Sequence, residues 1–200
     1  MFVELHENLP IDEKIFDAKI LTLLRIGQFP SASICVIKND EVVWSKTYGY
    51  SKVWFRQKAD FNSIYMIGST TKSITATALM QLYEQGRFSL DDDIDRYLPF
   101  KLRNPKHPDV PITIRMLLSH SASIYDYCVF KVVGLLDVLK FLPFPETIDE
   151  WLSDVLVPGG RFYRSSYWFD FPPGTLSTYS NIGYLVVGCL VEKISGMKLA

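Results

Sequence analysis

The sequence predicts an α+β fold in which strands come first, helices follow, and one layer looks unfinished. Two observations carry that reading. Runs rich in β-branched residues at 33–38 and 41–46 flank Asn39-Asp40, a pair that tolerates the positive φ of a tight hairpin turn. Beyond residue 69, apolar residues recur at helical spacing between Gly and Pro punctuation. With 48% hydrophobic and 22% charged residues, the 200-residue chain has material for a buried core, which excludes a disordered or low-complexity class. The balance of 21 basic against 22 acidic residues leaves a net charge of −1, so no overall field draws it to nucleic acid or an anionic membrane.

Taken in order, Ile11, Ile15, Ala18, Leu21 and Leu24 mark one face of a helix over 11–26. The hairpin follows, and strand character returns at Ile64-Tyr65-Met66. A helix is predicted over 69–85 with Gly86 as its cap. Its stretch 74–80 is apolar or small nearly all round, which predicts burial inside the domain. Ser89 or Asp91 is placed to cap the next short helix. The run Asp91-Asp92-Asp93 suits a helix start better than a metal site, because no further ligand cluster accompanies it. Residues 111–119 read as a short helix, 130–156 as helix-rich but broken by Pro143 and Pro145, and 158–173 as a loop. A last helix spans 182–194 and stops at Gly196. With no repeat and no separating linker, we expect a single domain over 1–200, its sheet layer in 10–66 and a mainly helical region in 67–200.

Cys35, Cys128 and Cys189 are odd in number and widely spaced, so neither a disulfide framework nor a zinc site is expected. Cys35 and Cys189 lie among Val, Ile and Leu and read as small buried hydrophobes. The apolar run 182–191 falls short of the ~18–20 residues of a membrane span. The opening, with Glu4, His6, Glu7, Asp12 and Glu13, lacks a signal peptide's basic start and apolar core. A soluble, cytoplasmic chain is the expectation.

The chemistry-bearing residues begin at Gly68-Ser69-Thr70-Thr71-Lys72. Ser69 falls at a helix start, where free N–H groups and the dipole favour developing negative charge. Lys72, at i+3, shares its face, and burial would lower its pKa and make it a base for the hydroxyl. Gly68 would permit close backbone approach. A second Ser/Lys pair, Ser195 and Lys198, sits at a helix end, where the carbonyl pole opposes an alkoxide. Further on, Tyr179 and Asn181 stand two apart in an extended turn after Pro172-Pro173-Gly174-Thr175, able to point into one cleft. A phenol beside an ammonium is stabilised as phenolate, and an amide can bind both lysine and a substrate carbonyl.

The combination of Ser69-Thr70-Thr71-Lys72 as S-x-x-K with Tyr179-Ser180-Asn181 as Y-x-N resembles the penicillin-recognising serine hydrolases, in the branch of class C β-lactamases, DD-peptidases and esterases. The likeness runs over about residues 10–198. It implies a β-lactamase/transpeptidase-like fold with Ser69 as the acylated nucleophile. Lys72 and Tyr179 would share the base and acid roles, with the order of proton transfer open, and Asn181 would orient substrate. No metal or cofactor is implied, and the partner is a small-molecule or peptide substrate: a β-lactam, a D-amino-acid peptide or an ester. A sensor that acylates without turnover, or a non-catalytic piece, is the alternative. His120 matches the family's H-T-S-G-L turn, which is structural, although Ser123 stands where Gly is usual and would be strained at positive φ. The family's later K-T-G or H-x-G motif is absent, since none of His6, His107 and His120 has Gly two positions on. We therefore expect the N-terminal half of such an enzyme, with the strands that follow missing, inactive and poorly soluble alone.

Overall fold

In the computed structural model residues 12–126 and 147–198 are described, and they divide between two units, residues 1–66 and 67–200. In the first unit Asp12 accepts the N–H groups of Lys14 (2.9 Å) and Ile15 (3.3 Å) and so caps α1 (Glu13–Ile26). Strands β1 (Ser31–Lys38) and β2 (Glu41–Lys52) pair antiparallel, with Ser33 opposite Thr47 and Lys38 opposite Glu41. The predicted turn holds: Asn39 and Asp40 have φ of 52° and 63°, as a two-residue primed turn requires. A short β3 (Gln57–Lys58) completes the order β1-β2-β3.

Helix α1 does not turn its predicted face inward. Glu13, Phe16, Asp17, Ile20 and Leu24 are its half-buried positions, while Ile15, Ala18 and Leu21 stay exposed. The rotation is set by specific contacts rather than by the apolar stripe. Phe16 meets Trp44 edge-on with centroids 4.9 Å apart, and Asp17 accepts from Lys46 Nζ and Tyr48 Oη, both at 2.6 Å. The Lys46 bond first, then the Tyr48 bond, hold the Asp17 carboxyl below its usual range. Two other expectations fail in this unit. Ile64-Tyr65-Met66 forms no strand, since no neighbouring ladder takes its backbone groups among the described residues. Cys35 is exposed, because alternation along β1 half-buries Ile34 and Val36 and turns Cys35 outward with Ser33 and Ile37.

In the second unit a single 3-10 turn, Gly68–Thr70, leads into α2 (Thr71–Glu84), and Gly86 lies just past its end at φ 69°. The centre is α5 (Asn181–Ser195), capped by Ser180 Oγ accepting from Gly183 N–H at 3.0 Å and stopped by Gly196 at φ 75°. It packs against α2, α3 (Ile114–Leu118) and α4 (Ile148–Leu156), which is why Ile182 through Val191 is almost wholly apolar. Helix α2, packed along α5, buries only Leu79 and Leu82 and exposes Ile74, so it is not the enclosed helix its composition predicts. Thr113, not a charged residue, caps α3 by accepting from Met116 N–H at 3.3 Å.

Each acidic residue of the 91–93 run has its own partner. Asp91 pairs with Arg115 at 2.7 Å, Asp92 accepts Ser89 N–H at 2.8 Å, and Asp93 pairs with Arg103. The cap of the short turn Ile94–Arg96 is Asp93, through Asp95 N–H at 3.1 Å, rather than Ser89 or Asp91. Among the described residues no group of three or more His, Cys, Asp or Glu gathers as metal ligands would. The 158–173 segment is the loop the sequence predicts, exposed or half-buried over most of its length, but it folds a 3-10 turn, Ser165–Tyr167, and buries Tyr167 and Trp168, the latter bridging to Ile124. Cys189 is buried and its thiol is pushed up to about 11 by desolvation. Cys128 and the predicted helical stretch with Pro143 and Pro145 lie outside the described residues, apart from α4.

Ser123 is buried at φ 62°, in the conformation that suits glycine, as the sequence anticipates. Its hydroxyl explains its tolerance there: Oγ donates to Phe171 C=O at 2.7 Å and accepts from Asn104 Nδ2 at 2.9 Å. Glycine would relieve the backbone while losing both bonds, whereas alanine keeps the strain and loses them too. Ser123→Ala should therefore destabilise by about 1–3 kcal/mol, and Ser123→Gly by clearly less, in urea melts. A Gly variant as damaging as Ala would show that φ carries no strain here.

Candidate active site

The four residues singled out by motif spacing are brought together in the second unit. Ser69 lies in the 3-10 turn that begins α2, and Lys72 lies in the first turn of the helix proper. Lys72 Nζ is 3.3 Å from Ser69 Oγ and donates to Asn181 Oδ1 at 2.6 Å. Tyr179 Oη donates to Ser69 Oγ at 2.6 Å. The serine oxygen thus stands between a phenol and an ammonium, and the amide fixes the ammonium from α5. Gly68 has φ +52°, with nothing within 4 Å of where a Cβ would stand, so its use is the left-handed turn before Ser69 rather than close approach.

The segment carrying Tyr179 is held by the turn after α3. Gly174 N–H donates to Ser121 C=O and Thr178 N–H to His120 C=O, each at 2.8 Å, while Ser177 Oγ donates to Ser119 C=O at 2.8 Å. Ser180 N–H reaches His120 Nδ1 at 3.2 Å. The His120 ring lies between Tyr179 and Tyr184, with centroids 4.7 and 4.9 Å away. Its Nδ1 accepts the hydrogen bond of that backbone N–H, as a neutral imidazole does, and the ring packs against Tyr179. Burial first, then the Lys72 charge, hold its pKa below the ordinary 6.5, against an opposing pull from Asp126.

Sequence reasoning missed Asp126. Its buried side chain accepts Asn181 N–H, the first backbone donor of α5, and so fixes the residue that holds Lys72. A carboxylate near a helix start was visible only in sequence hindsight, because 55 residues separate the pair.

The Tyr179 phenol is pulled below its ordinary 10.0 by the Lys72 hydrogen bond first and the Ser69 bond second, against partial desolvation and the Asp126 charge. Lys72 Nζ lies 4.9 Å from the Tyr179 ring centroid and 5.8 Å from that of Tyr184, so the ammonium also faces two π surfaces. A cavity of about 550 Å³ opens beside these groups, lined by Ser69, Lys72, Thr75, Asn181, Tyr184 and Leu185 among others. A hydroxyl, an ammonium and an amide thus converge on one open cavity, with the Tyr179 phenol hydrogen-bonded to the hydroxyl.

Comparison with known proteins agrees with the geometry. The family model described as Beta-lactamase matches residues 16–200. Protein flp of Staphylococcus aureus (strain N315) is 37% identical over 178 residues, covering 86% of this chain and 31% of that protein. Penicillin-binding protein 4* of Bacillus subtilis is 25% identical over 170 residues, covering 85% of this chain and 34% of its own length. The octameric penicillin-binding protein homologue from Pyrococcus abyssi superposes with a TM-score of 0.73 at 32% identity, covering 94% of this chain and 40% of that one. The chain spans about a third of the length of the curated relatives it matches.

His120 gives this geometry a pH signature. Its pKa is depressed in the fold, so the stability it contributes is complete above about pH 6.5 and is lost as pH falls through the folded value. The melting advantage of the wild type over His120→Ala should be constant from pH 8 to 7 and shrink on acidification toward pH 5. An advantage that is flat across that range would remove the neutral acceptor role.

Proposed function

The chain belongs to the beta-lactamase family, and on that premise we propose that it carries the acyl-transfer centre of a serine hydrolase working through a Ser69 acyl-enzyme. That family spans penicillin-binding proteins and serine hydrolases with an antiparallel sheet and flanking helices, and its model runs through both units of this chain. We take the two units as parts of one family domain. The single observation that carries the reading is the placement of Ser69 Oγ 2.6 Å from Tyr179 Oη and 3.3 Å from Lys72 Nζ.

In the proposed reaction Tyr179, as phenolate beside the Lys72 ammonium, takes the proton of Ser69 Oγ. The freed oxygen attacks the carbonyl carbon of a β-lactam, a D-amino-acid peptide or an ester. Electrons move onto the carbonyl oxygen, and the Ser69 N–H at the helix start faces that charge. Collapse of the tetrahedral species breaks the C–N or C–O bond, and Tyr179 returns its proton to the leaving nitrogen or oxygen. Asn181 keeps Lys72 in place through Oδ1, which leaves its NH2 to donate to the substrate. Water then adds to the acyl carbon by the same proton path and regenerates Ser69. The names of two relatives as penicillin-binding proteins favour a second reading in which acylation occurs and release of the acyl group is slow.

The test is covalent labelling by a fluorescent penicillin and by a fluorophosphonate, read by intact mass. Ser69→Ala should abolish the adduct, and Lys72→Ala and Tyr179→Phe should each slow its formation at least ~100-fold. Labelling of the wild type should rise with pH and reach half its limit below pH 10.0, and Tyr179→Phe should lose that rise. An adduct that survives Ser69→Ala overturns the assignment. A hydrolysis time course separates the two readings: continued release of product marks a hydrolase, and a single stoichiometric burst marks a penicillin-binding sensor.

A further inference from the structure

We propose that the turn between β2 and β3 is a membrane-surface anchor that seats Trp54 and Phe55 in the headgroup layer of an anionic lipid surface. The turn is closed by Arg56 N–H donating to Val53 C=O at 3.1 Å, which puts Trp54 and Phe55 at its apex. They are 96% and 81% exposed, the most exposed large aromatic side chains among the described residues. The hairpin beneath is ordered: Tyr50 pairs with Lys58 and Lys52 with Gln57, Ser51 Oγ donates to Lys58 C=O at 3.3 Å, and Ala59 N–H donates to Gly49 C=O at 3.0 Å. The apex is thus presented on a rigid stem.

Charge completes the pattern. Residues 42–59 contain no Asp or Glu, and Lys52, Arg56 and Lys58 around the apex are exposed. The chain's net charge of −1 makes this a local feature and not a general field. Trp54 beside Phe55, with three cations close in sequence, matches the interfacial zone of a bilayer, where the amphipathic Trp ring sits at headgroup level, Phe adds apolar area and Lys and Arg meet anionic lipid. A protein partner fits less well, because a stable interface buries about 800 Å² per side and this apex is two residues wide. Neither charge nor aromatics alone anchor stably, but the two signals together do.

Flotation of the 200-residue chain with lipid vesicles tests this without reference to hydrolysis, and flotation separates binding from aggregation. The chain should float with vesicles of equal phosphatidylglycerol and phosphatidylcholine, and not with phosphatidylcholine alone. Trp54 is the exposed one of the four tryptophans, so binding should blue-shift the emission and expose it to brominated-lipid quenching. The double variant Trp54→Ala/Phe55→Ala should lower the partition coefficient at least tenfold and lose the blue shift. The triple variant Lys52→Gln/Arg56→Gln/Lys58→Gln should lose the dependence on phosphatidylglycerol. These side chains are exposed, and circular dichroism would verify that both variants fold. No flotation, flotation unchanged in the aromatic variant, or dimers without lipid that vanish in that variant would each overturn the anchor.

Discussion

The hydrogen bond from Lys72 Nζ to Asn181 Oδ1, 2.6 Å long across 109 residues of sequence, sets the positions of the other groups in the candidate site. It joins the first turn of α2 to the first residue of α5. Two helix N-termini, each with a positive dipole end, therefore meet at an ammonium group. That concentration of positive potential has to be offset for the site to persist. Asn181 offers an oxygen, Tyr179 and Tyr184 offer π faces, and Asp126 takes the leading N–H of α5. The surplus acts on Tyr179, whose phenol is drawn below its ordinary value by the same ammonium. The geometry of the cluster and the lowered Tyr179 phenol thus follow from a single electrostatic balance.

The turn after α3 stores the strain this arrangement requires. His120 and Ser123 both occupy positive φ, at 58° and 62°, without being glycine. Each is held by hydrogen bonds with the segment leading to Tyr179: His120 through its carbonyl and Nδ1, Ser123 through the carbonyl of Phe171. Phe169 N–H closes on Ser123 C=O at 3.1 Å, so the strained turn and the 169–180 segment bind each other at several points. A single unstrained alternative would have to break most of these bonds together, which is why unfavourable dihedrals persist in a buried turn.

Motif spacing singled out Ser69, Lys72, Tyr179 and Asn181, which the fold brings together, because such a pattern rests on residue type and short-range offsets that a helix or turn fixes. The hairpin turn at Asn39-Asp40 and the stop at Gly196 were legible for the same reason: their positive φ is written in local residue choice. What failed depended on distant partners. The inward face of α1 was decided by Trp44, Lys46 and Tyr48, none of which lies in the helix. The cap at Asp93 rather than Ser89 or Asp91 followed from Arg115 drawing the Asp91 carboxylate to itself, while Asp93 caps through Oδ1 and meets Arg103 through Oδ2. Asp126 escaped because a lone carboxylate has no pattern until α5 is brought beside it. Cys35 and Ile74 looked buried from their apolar neighbours, yet burial belongs to what packs on them, not to the run in which they stand.

Exposure tempers the electrostatics of this assembled cluster. Tyr179 is 51% exposed, so water surrounds the phenol and screens the ammonium that acts on it. Two of the three hydrogen bonds, Tyr179 to Ser69 and Lys72 to Asn181, are already 2.6 Å long, so little reorganisation of those pairs would remain in the proposed reaction. In the proposed reaction an acyl group seated over Ser69 in the adjoining cavity would remove that water, and the same charges would then act through a lower dielectric. Burying Lys72 and Tyr179 permanently would have produced that strength only with the desolvation of an ammonium, which an unoccupied site would bear continuously. On the proposed mechanism, an open, hydrogen-bonded quartet that substrate itself would cover avoids the penalty and reserves the electrostatic gain for the moment at which Ser69 Oγ would develop charge.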